Sequence, residues 1–102
     1  MISVAVRRSK SKITGFTVND HGDSYVCAAV SFLSLNTVNS IEALTDEPFD
    51  CDYQPEGGYL KWDRKGATQE ADLLLAAMLL GLRSLEENYN EDINISEVNA
   101  EG

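Results

Sequence analysis

Apolar and polar residues alternate with a period of two at the start of the chain. In "MISVAVRR", Ile2, Val4 and Val6 lie on one side and the residues between them on the other, a pattern that predicts a strand with one buried face. The next residues, "RSKSK", carry like charges and small polar side chains, which favour a hairpin turn. Three further strands are predicted at residues 13–18, 57–64 and 93–98.

Two longer segments place apolar residues at the three- and four-residue spacing of a helix. The first begins at Ser24 or Tyr25 and ends near Leu44, before Pro48, because proline disfavours helix in the residue that precedes it. Ser24 is a candidate N-cap for this helix. The second segment, residues 67–90, has a wide apolar stripe, so we expect it to contact more than one surface.

The order of these elements predicts an α+β fold. Between the first helix and the third strand, the segment "DEPFDCDYQPEGG" predicts a loop of about a dozen residues. The resulting order, β-β-α-β-α-β, is most simply a four-stranded sheet with two helices packed on one face. The 102 residues fit a single domain, residues 1–102, with 98–102 expected to form a frayed tail.

Composition excludes several classes of partner. The chain has 8 lysines and arginines against 17 aspartates and glutamates, a formal net charge of −9. Because a surface that follows phosphates needs clustered cations, no direct nucleic-acid partner is expected. The N-terminal residues do not resemble a signal peptide, and no apolar run approaches the length of about 18 residues that spans a membrane. We therefore expect a cytoplasmic protein with no membrane partner.

The cysteine and histidine content argues against a metal or a cofactor. Cys27 and Cys51 are the two cysteines and His21 is the single histidine, too few ligands for a zinc site. No glycine-rich nucleotide motif is present, so we expect neither a metal nor a cofactor. A cytosolic protein would also keep both cysteines as thiols.

Cys27 lies where a helix start could activate a thiol. The predicted helix makes it the third helical residue, where unpaired backbone N–H groups and the helix dipole stabilise a thiolate. His21, in the loop before this helix, could act as the base, with Asp23 orienting its imidazole. Ser31 lies one turn after Cys27 and could reach the thiol or its neighbours. This arrangement predicts a nucleophilic cysteine.

On spacing alone, these residues have a structural role more commonly than a catalytic one. Cysteine is among the most buried residue types, and "CAAV" is typical of a core helix. His21, flanked by polar residues and glycine, would then be a solvated loop residue. Cys51 lies among acidic residues without a base or a helix start, and we interpret it as a bystander.

Three segments together resemble a known family. "YVCAAVSFLSLNTVNSIEAL", "GGYLKW" and "LLLAAMLLGLRSLEENY" resemble the ribosomal-processing cysteine proteases called Prp. The resemblance implies a small cytoplasmic α+β homodimer that removes a short, hydrophobic, Phe-containing N-terminal extension from large-subunit ribosomal protein twenty-seven. It implies that Cys27 is the nucleophile, and Ser31 matches a serine of the family motif.

The chain departs from that family at the histidine. Family members usually carry Gly-His-Ala at the end of the second strand, where this chain has Gly15, Phe16 and Thr17. Family members also tend to have an acid three residues before the cysteine. In this chain that position is Ser24, and Asp23 precedes it. His21 is then either the family histidine in a shifted alignment or a substitute supplied from the loop.

This departure leaves competing hypotheses. In the first, Cys27 and His21 form an active cysteine endopeptidase for the ribosomal protein extension. In the second, the chain has lost its base and binds a ribosomal protein or peptide without cutting it. A third hypothesis is a small dimeric scaffold with no peptide role.

Overall fold

The described part of the chain forms five strands and two α-helices. The computed structural model describes residues 1–19 and 25–99. Its elements are β1 (Ile2–Ser9), β2 (Lys12–Asn19), α1 (Tyr25–Leu44), β3 (Phe49–Gln54), β4 (Tyr59–Arg64), α2 (Gln69–Asn88) and β5 (Ile93–Asn99). A single 3-10 turn, Pro55–Gly57, connects β3 to β4. The predicted α+β class is confirmed.

The strands make one mixed sheet in the order β3-β4-β2-β1-β5. Neighbouring strands are antiparallel except β1 and β5, which run parallel and pair from Ile2 opposite Ile93 onward. The helix α2 connects β4 to β5, and this long connection allows β5 to run parallel to its neighbour β1. β5 continues to Asn99, so residues 98 and 99 belong to the strand, whereas residues 100–102 lie outside the described residues.

One face of the sheet is covered by both helices. Alternate strand residues are buried there, and α1 and α2 place their apolar stripes on them. The fully buried side chains include Val4, Val6, Phe16, Trp62, Ile93, Val30, Ile41, Leu75, Met78 and Leu82. On the opposite face, residues such as Ser3 and Lys61 are exposed. The expected packing of two helices on one face therefore holds.

The prediction of a loop at residues 46–58 was wrong for six of them. Residues Phe49–Gln54 form β3, an edge strand antiparallel to β4, so the sheet has five strands and not four. Phe49 packs against the core, but the other five side chains are exposed. Backbone pairing with β4 holds this strand in place, and that pairing leaves little hydrophobic signal in the sequence.

By length and composition alone, α1 is the one described helix that could cross a membrane. The core helix of a soluble protein also passes this test. In this fold α1 buries Val30 and Ile41 completely against the sheet. The apolar residues of this face therefore belong to the core, whereas Phe32 and Leu44 of the same helix are exposed.

A buried carboxylate joins the loops at the end of the sheet where α2 begins. The side chain of Glu47 is 0% exposed and accepts hydrogen bonds from Arg64 Nη2 at 2.5 Å and from the Gly66 amide at 2.5 Å. It also accepts bonds from the amide and the hydroxyl of Thr68, both at 3.0 Å. Thr68 is the N-cap of α2, and Arg64 also pairs with Asp72 in its first turn. Glu47 therefore fixes where α2 starts.

Candidate active site

Cys27 lies in the first turn of α1, on the side that faces the sheet. The helix begins at Tyr25, which makes Cys27 its third residue, and the Cys27 residue is 7% exposed. Val30 and Ser34, one and two turns further along the helix, are buried on the same side. The amide groups of a first helical turn have no carbonyl partner within the helix, and the dipole is positive there. Both effects stabilise a thiolate over a thiol, and they act against the burial of Cys27, which favours the thiol.

A cavity of about 90 Å³ opens one helical turn beyond Cys27. Ser31, the residue at i+4 from Cys27, is part of its wall. The remaining wall comes from α1, the ends of β2 to β4 and the β3–β4 connection: Val18, Ser34, Leu35, Tyr53, Pro55, Gly58, Tyr59 and Leu60. Apolar and aromatic side chains dominate, so the cavity suits an apolar side chain of a ligand.

Hydroxyl groups on the buried side of α1 are satisfied within the helix. Ser34 Oγ donates to the carbonyl of Val30 at 2.7 Å, and Thr37 Oγ1 donates to the carbonyl of Leu33 at 2.8 Å. Such bonds to the preceding turn allow serine and threonine to be buried at low cost. The Ser34 hydroxyl therefore presents little unsatisfied polarity to the cavity that it lines.

Phe16, where the resemblance to the family implies a histidine, belongs to the core. It is 0% exposed in the middle of β2, directly opposite Trp62 of β4. The two rings stack with centroids 5.7 Å apart. A phenyl ring accepts no proton, so this position supplies no general base.

The other predicted residues of the site, His21 and Asp23, lie outside the described residues, as does Ser24. They fall between Asn19, the last residue of β2, and Tyr25, the first of α1. The roles of His21 as base and Asp23 as orienting group stay predictions. Of the predicted set, Cys27 and Ser31 are therefore described together on α1, one turn apart.

Cys51 lies on the edge strand β3, away from any helix start. It is exposed and pairs opposite Trp62 of β4. Partial burial raises the pKa of its thiol, and the charges of Asp52 and Glu42 raise that pKa further. A raised pKa favours the protonated, less nucleophilic form at neutral pH. Cys27 and Cys51 are not joined by a disulfide.

Sequence reasoning missed Tyr53, the residue of β3 that lines the cavity. The signal was present, because Phe49, Cys51 and Tyr53 alternate with Asp50 and Asp52, which is the period of a strand. Acidic residues and flanking prolines made the segment look like a loop. Since directly paired residues share a face, Tyr53 opposite Leu60 lies on the helix side of the sheet, beside α1.

The chain is similar to known cysteine proteases over nearly its whole length. The sequence model of the family described as cysteine protease Prp matches residues 1–94. A ribosomal processing cysteine protease Prp of Staphylococcus aureus is 33% identical, and the alignment covers 94% of this chain and 98% of that protein.

Solved structures of the S. aureus protease have the same fold. The crystal structure of Prp with a substrate peptide matches with a TM-score of 0.87 at 32% identity, covering 95% of this chain and 99% of that one. A second crystal structure, with a covalently linked product peptide, matches with a TM-score of 0.87 at 33% identity and the same coverage. The match thus extends from β1 to β5 and includes the helix that carries Cys27, and the chain belongs to the Prp family of cysteine proteases.

Proposed function

We propose that this chain is a cysteine endopeptidase that removes the short hydrophobic N-terminal extension of large-subunit ribosomal protein twenty-seven. Cys27 is the nucleophile and His21 the base in this proposal. The observation that carries it is the position of Cys27 in the first turn of α1, one turn before Ser31 at the wall of an apolar cavity. The relative described as a ribosomal processing cysteine protease supports the substrate class.

The proposed reaction proceeds through a thioester. The Cys27 thiolate attacks the scissile carbonyl carbon, and amide groups of the first turn of α1 donate to the oxyanion. His21 takes the thiol proton and returns it to the leaving amine, and water then hydrolyses the thioester. A thioester is a covalent enzyme–peptide bond. The S. aureus relative holding a covalently linked product peptide supports this kind of step.

Substrate recognition is proposed to combine an apolar contact with long-range charge. The cavity of about 90 Å³ beside Ser31 takes an apolar side chain of the extension between α1 and Tyr53, whose exposed fraction of 48% makes it accessible. The net charge of −9 attracts a basic ribosomal protein and raises its rate of encounter.

We also propose that the protein is a cytoplasmic homodimer that associates through its outer helix surface, formed by Phe32 of α1 and Leu73 and Leu80 of α2. These side chains are 71%, 72% and 72% exposed. The sole charged residue of α1 is Glu42. Two copies with a net charge of −9 each repel one another, so we expect them to meet where large apolar side chains are exposed. Two unbridged cysteines suit the reducing cytosol.

The test of the protease proposal is cleavage of a synthetic peptide that carries the N-terminal extension of the ribosomal protein. Replacing Cys27 by serine abolishes cleavage, whereas the matched substitution Cys51→Ser leaves the rate unchanged. His21→Ala lowers the rate by a factor of about 10² to 10⁴, the usual contribution of general acid–base catalysis. Cleavage that persists in Cys27→Ser would overturn the assignment of the nucleophile.

A second result of the same assay would favour the alternative of a binder. Phe16 cannot act as a base, so all proton transfer rests on His21 in this proposal. If the unmodified chain binds the peptide tightly but leaves it intact, and His21→Ala binds equally well, the protein captures the extension without cutting it.

A further inference from the structure

A basic cleft lies at the opposite end of β2 from the Cys27 site. It has a volume of about 620 Å³ and is bordered by the β1–β2 turn and the loop from β4 to α2. Lys10, Lys12, Arg64 and Lys65 line it, and none of its described lining residues is acidic. Strand geometry puts about 23 Å between the two ends of β2. In a chain with 8 basic residues, four of them in one cleft is a strong local concentration.

The three lysines of the cleft are available to a ligand. Lys12 pairs with Asp72 and Lys65 with Asp50, each at 3.0 Å, but the lysine side chains are 54% and 59% exposed. Ion pairs this exposed are weak because water screens them, so an anion of higher charge displaces the carboxylates. Lys10 has no ion pair with any residue in the described part of the chain.

The backbone at Lys10 is unusual for a lysine. Its φ of 60° lies in the left-handed region, which glycine or asparagine occupies at lower cost. The turn therefore holds a charged side chain at a position where backbone energetics favour another residue. Such a cost is more often found at functional sites than elsewhere.

Neutral hydrogen-bonding groups also lie in the cleft wall. They are the hydroxyls of Ser11 and Thr14, of which the Thr14 hydroxyl donates to the Arg7 carbonyl; the amide of Gly66, also in the wall, donates to Glu47. Arg64 also borders the cleft, but its side chain is 5% exposed and its charge is paired with Glu47 and Asp72. The positive charge open to a ligand therefore comes from the three lysines, with the Ser11 hydroxyl beside them.

We propose that this cleft binds a small phosphorylated ligand. A phosphate group has several acceptor oxygens and more than one negative charge, which suits point-like ammonium groups together with hydroxyl donors. The volume of about 620 Å³ is that of a small-molecule site. A long RNA is disfavoured as the source of phosphate because the rest of this surface, with its net charge of −9, repels a polyanion.

The experiment titrates inorganic pyrophosphate into the full chain and follows backbone amide shifts by NMR. Binding is expected to shift the amides of residues 9–14 and 64–67 and to weaken with added salt. Lys10→Ala and Lys65→Ala are each expected to reduce the affinity about tenfold, the loss of one charge-assisted hydrogen bond. Lys61→Ala is the matched control, because Lys61 is an exposed lysine of β4 outside the cleft. It should change the affinity less than twofold.

Three outcomes would overturn the proposal. The first is no shift of the cleft amides at millimolar pyrophosphate. The second is an equal loss of affinity in Lys61→Ala and Lys10→Ala, because the attraction would then be general and not local. The third is tighter binding of a short RNA than of pyrophosphate with the same dependence on Lys10, which would assign the cleft to a nucleic acid. Binding is the readout throughout, so these outcomes are independent of peptidase activity.

Discussion

Replacing Glu47 by glutamine tests how much the buried carboxylate contributes to this fold. The two Oε atoms accept four hydrogen bonds in total, from Arg64, from Gly66 and twice from Thr68. Glutamine keeps the shape but replaces one of the two acceptor oxygens by an NH2 group. That NH2 group would face a hydrogen-bond donor, and two donors cannot bond to each other. The substitution also removes the negative charge that pairs with Arg64, so both charge and acceptor capacity are lost at a buried position.

The expected loss of stability is about 3 kcal/mol. Removing one partner of a buried ion pair usually costs about 3–5 kcal/mol, and the lower value applies because Arg64 keeps its second partner, Asp72, at 2.5 Å. For a domain of about 100 residues, this lowers Tm by about 12–24 °C. Urea denaturation followed by circular dichroism at pH 7 measures the change.

The loss of stability in Glu47→Gln should be largest near neutral pH and should shrink in acid. Burial by itself would raise the Glu47 pKa, but hydrogen bonds from Arg64 and Thr68 outweigh burial and hold that pKa below its usual value of 4.5. A lowered pKa in the folded state means that the stabilisation is complete above pH 4.5 and is lost as pH falls through the folded value. The wild-type and variant curves should therefore converge in acid.

Asp46→Asn provides the matched control, because Asp46 is the exposed neighbour of Glu47 and its replacement removes the same negative charge. Its stability should stay within about 0.5 kcal/mol of the wild type. The reasoning is refuted if Glu47→Gln loses no more than Asp46→Asn, since Asp72 alone would then suffice to hold Arg64.

Three further predictions concern the site, the sheet and the dimer. Alkylation of Cys27 by iodoacetamide, measured with the other cysteine replaced, should reach a plateau below pH 7 and slow markedly in His21→Ala; a rate that rises only above pH 8 in both proteins would indicate an ordinary thiol. Gly15→Ala should destabilise the protein by about 1–3 kcal/mol in urea denaturation, because its Cβ would lie 2.7 Å from the carbonyl oxygen of Trp62, and an unchanged midpoint would contradict this packing. Leu80→Glu should convert the proposed dimer to a monomer in analytical ultracentrifugation, and an unchanged mass would exclude the outer helix surface as the interface.

Elements that bury one side against the core could be predicted from local periodicity. The alternation of Ile2, Val4 and Val6 predicted β1, and helical spacing predicted α1 and α2 close to their observed bounds. These patterns are readable because most buried residues are apolar for the same reason, the removal of their surface from water. The helical position of Cys27 follows from the same periodicity.

Features made by contacts between distant residues left a weak pattern or none. β3 is held by backbone pairing with β4 and exposes five of its six side chains, so its alternation with acidic residues was not recognised as a strand. Glu47 and Arg64, 17 residues apart, pair only because the sheet brings two loops together. The apolar cavity beside Ser31 likewise exists only after three strands and α1 have met.

The sequence by itself determined the α+β class, the two helices and the position of Cys27 at a helix start, because these depend on interactions between near neighbours in the chain. The tertiary structure decided the strand order, the edge strand β3, the hydrogen bonds of buried Glu47 and the stacking of Phe16 on Trp62. The physical reason is that hydrogen-bond partners and packing neighbours across a sheet are chosen by how all elements fit together, and no local period records that choice.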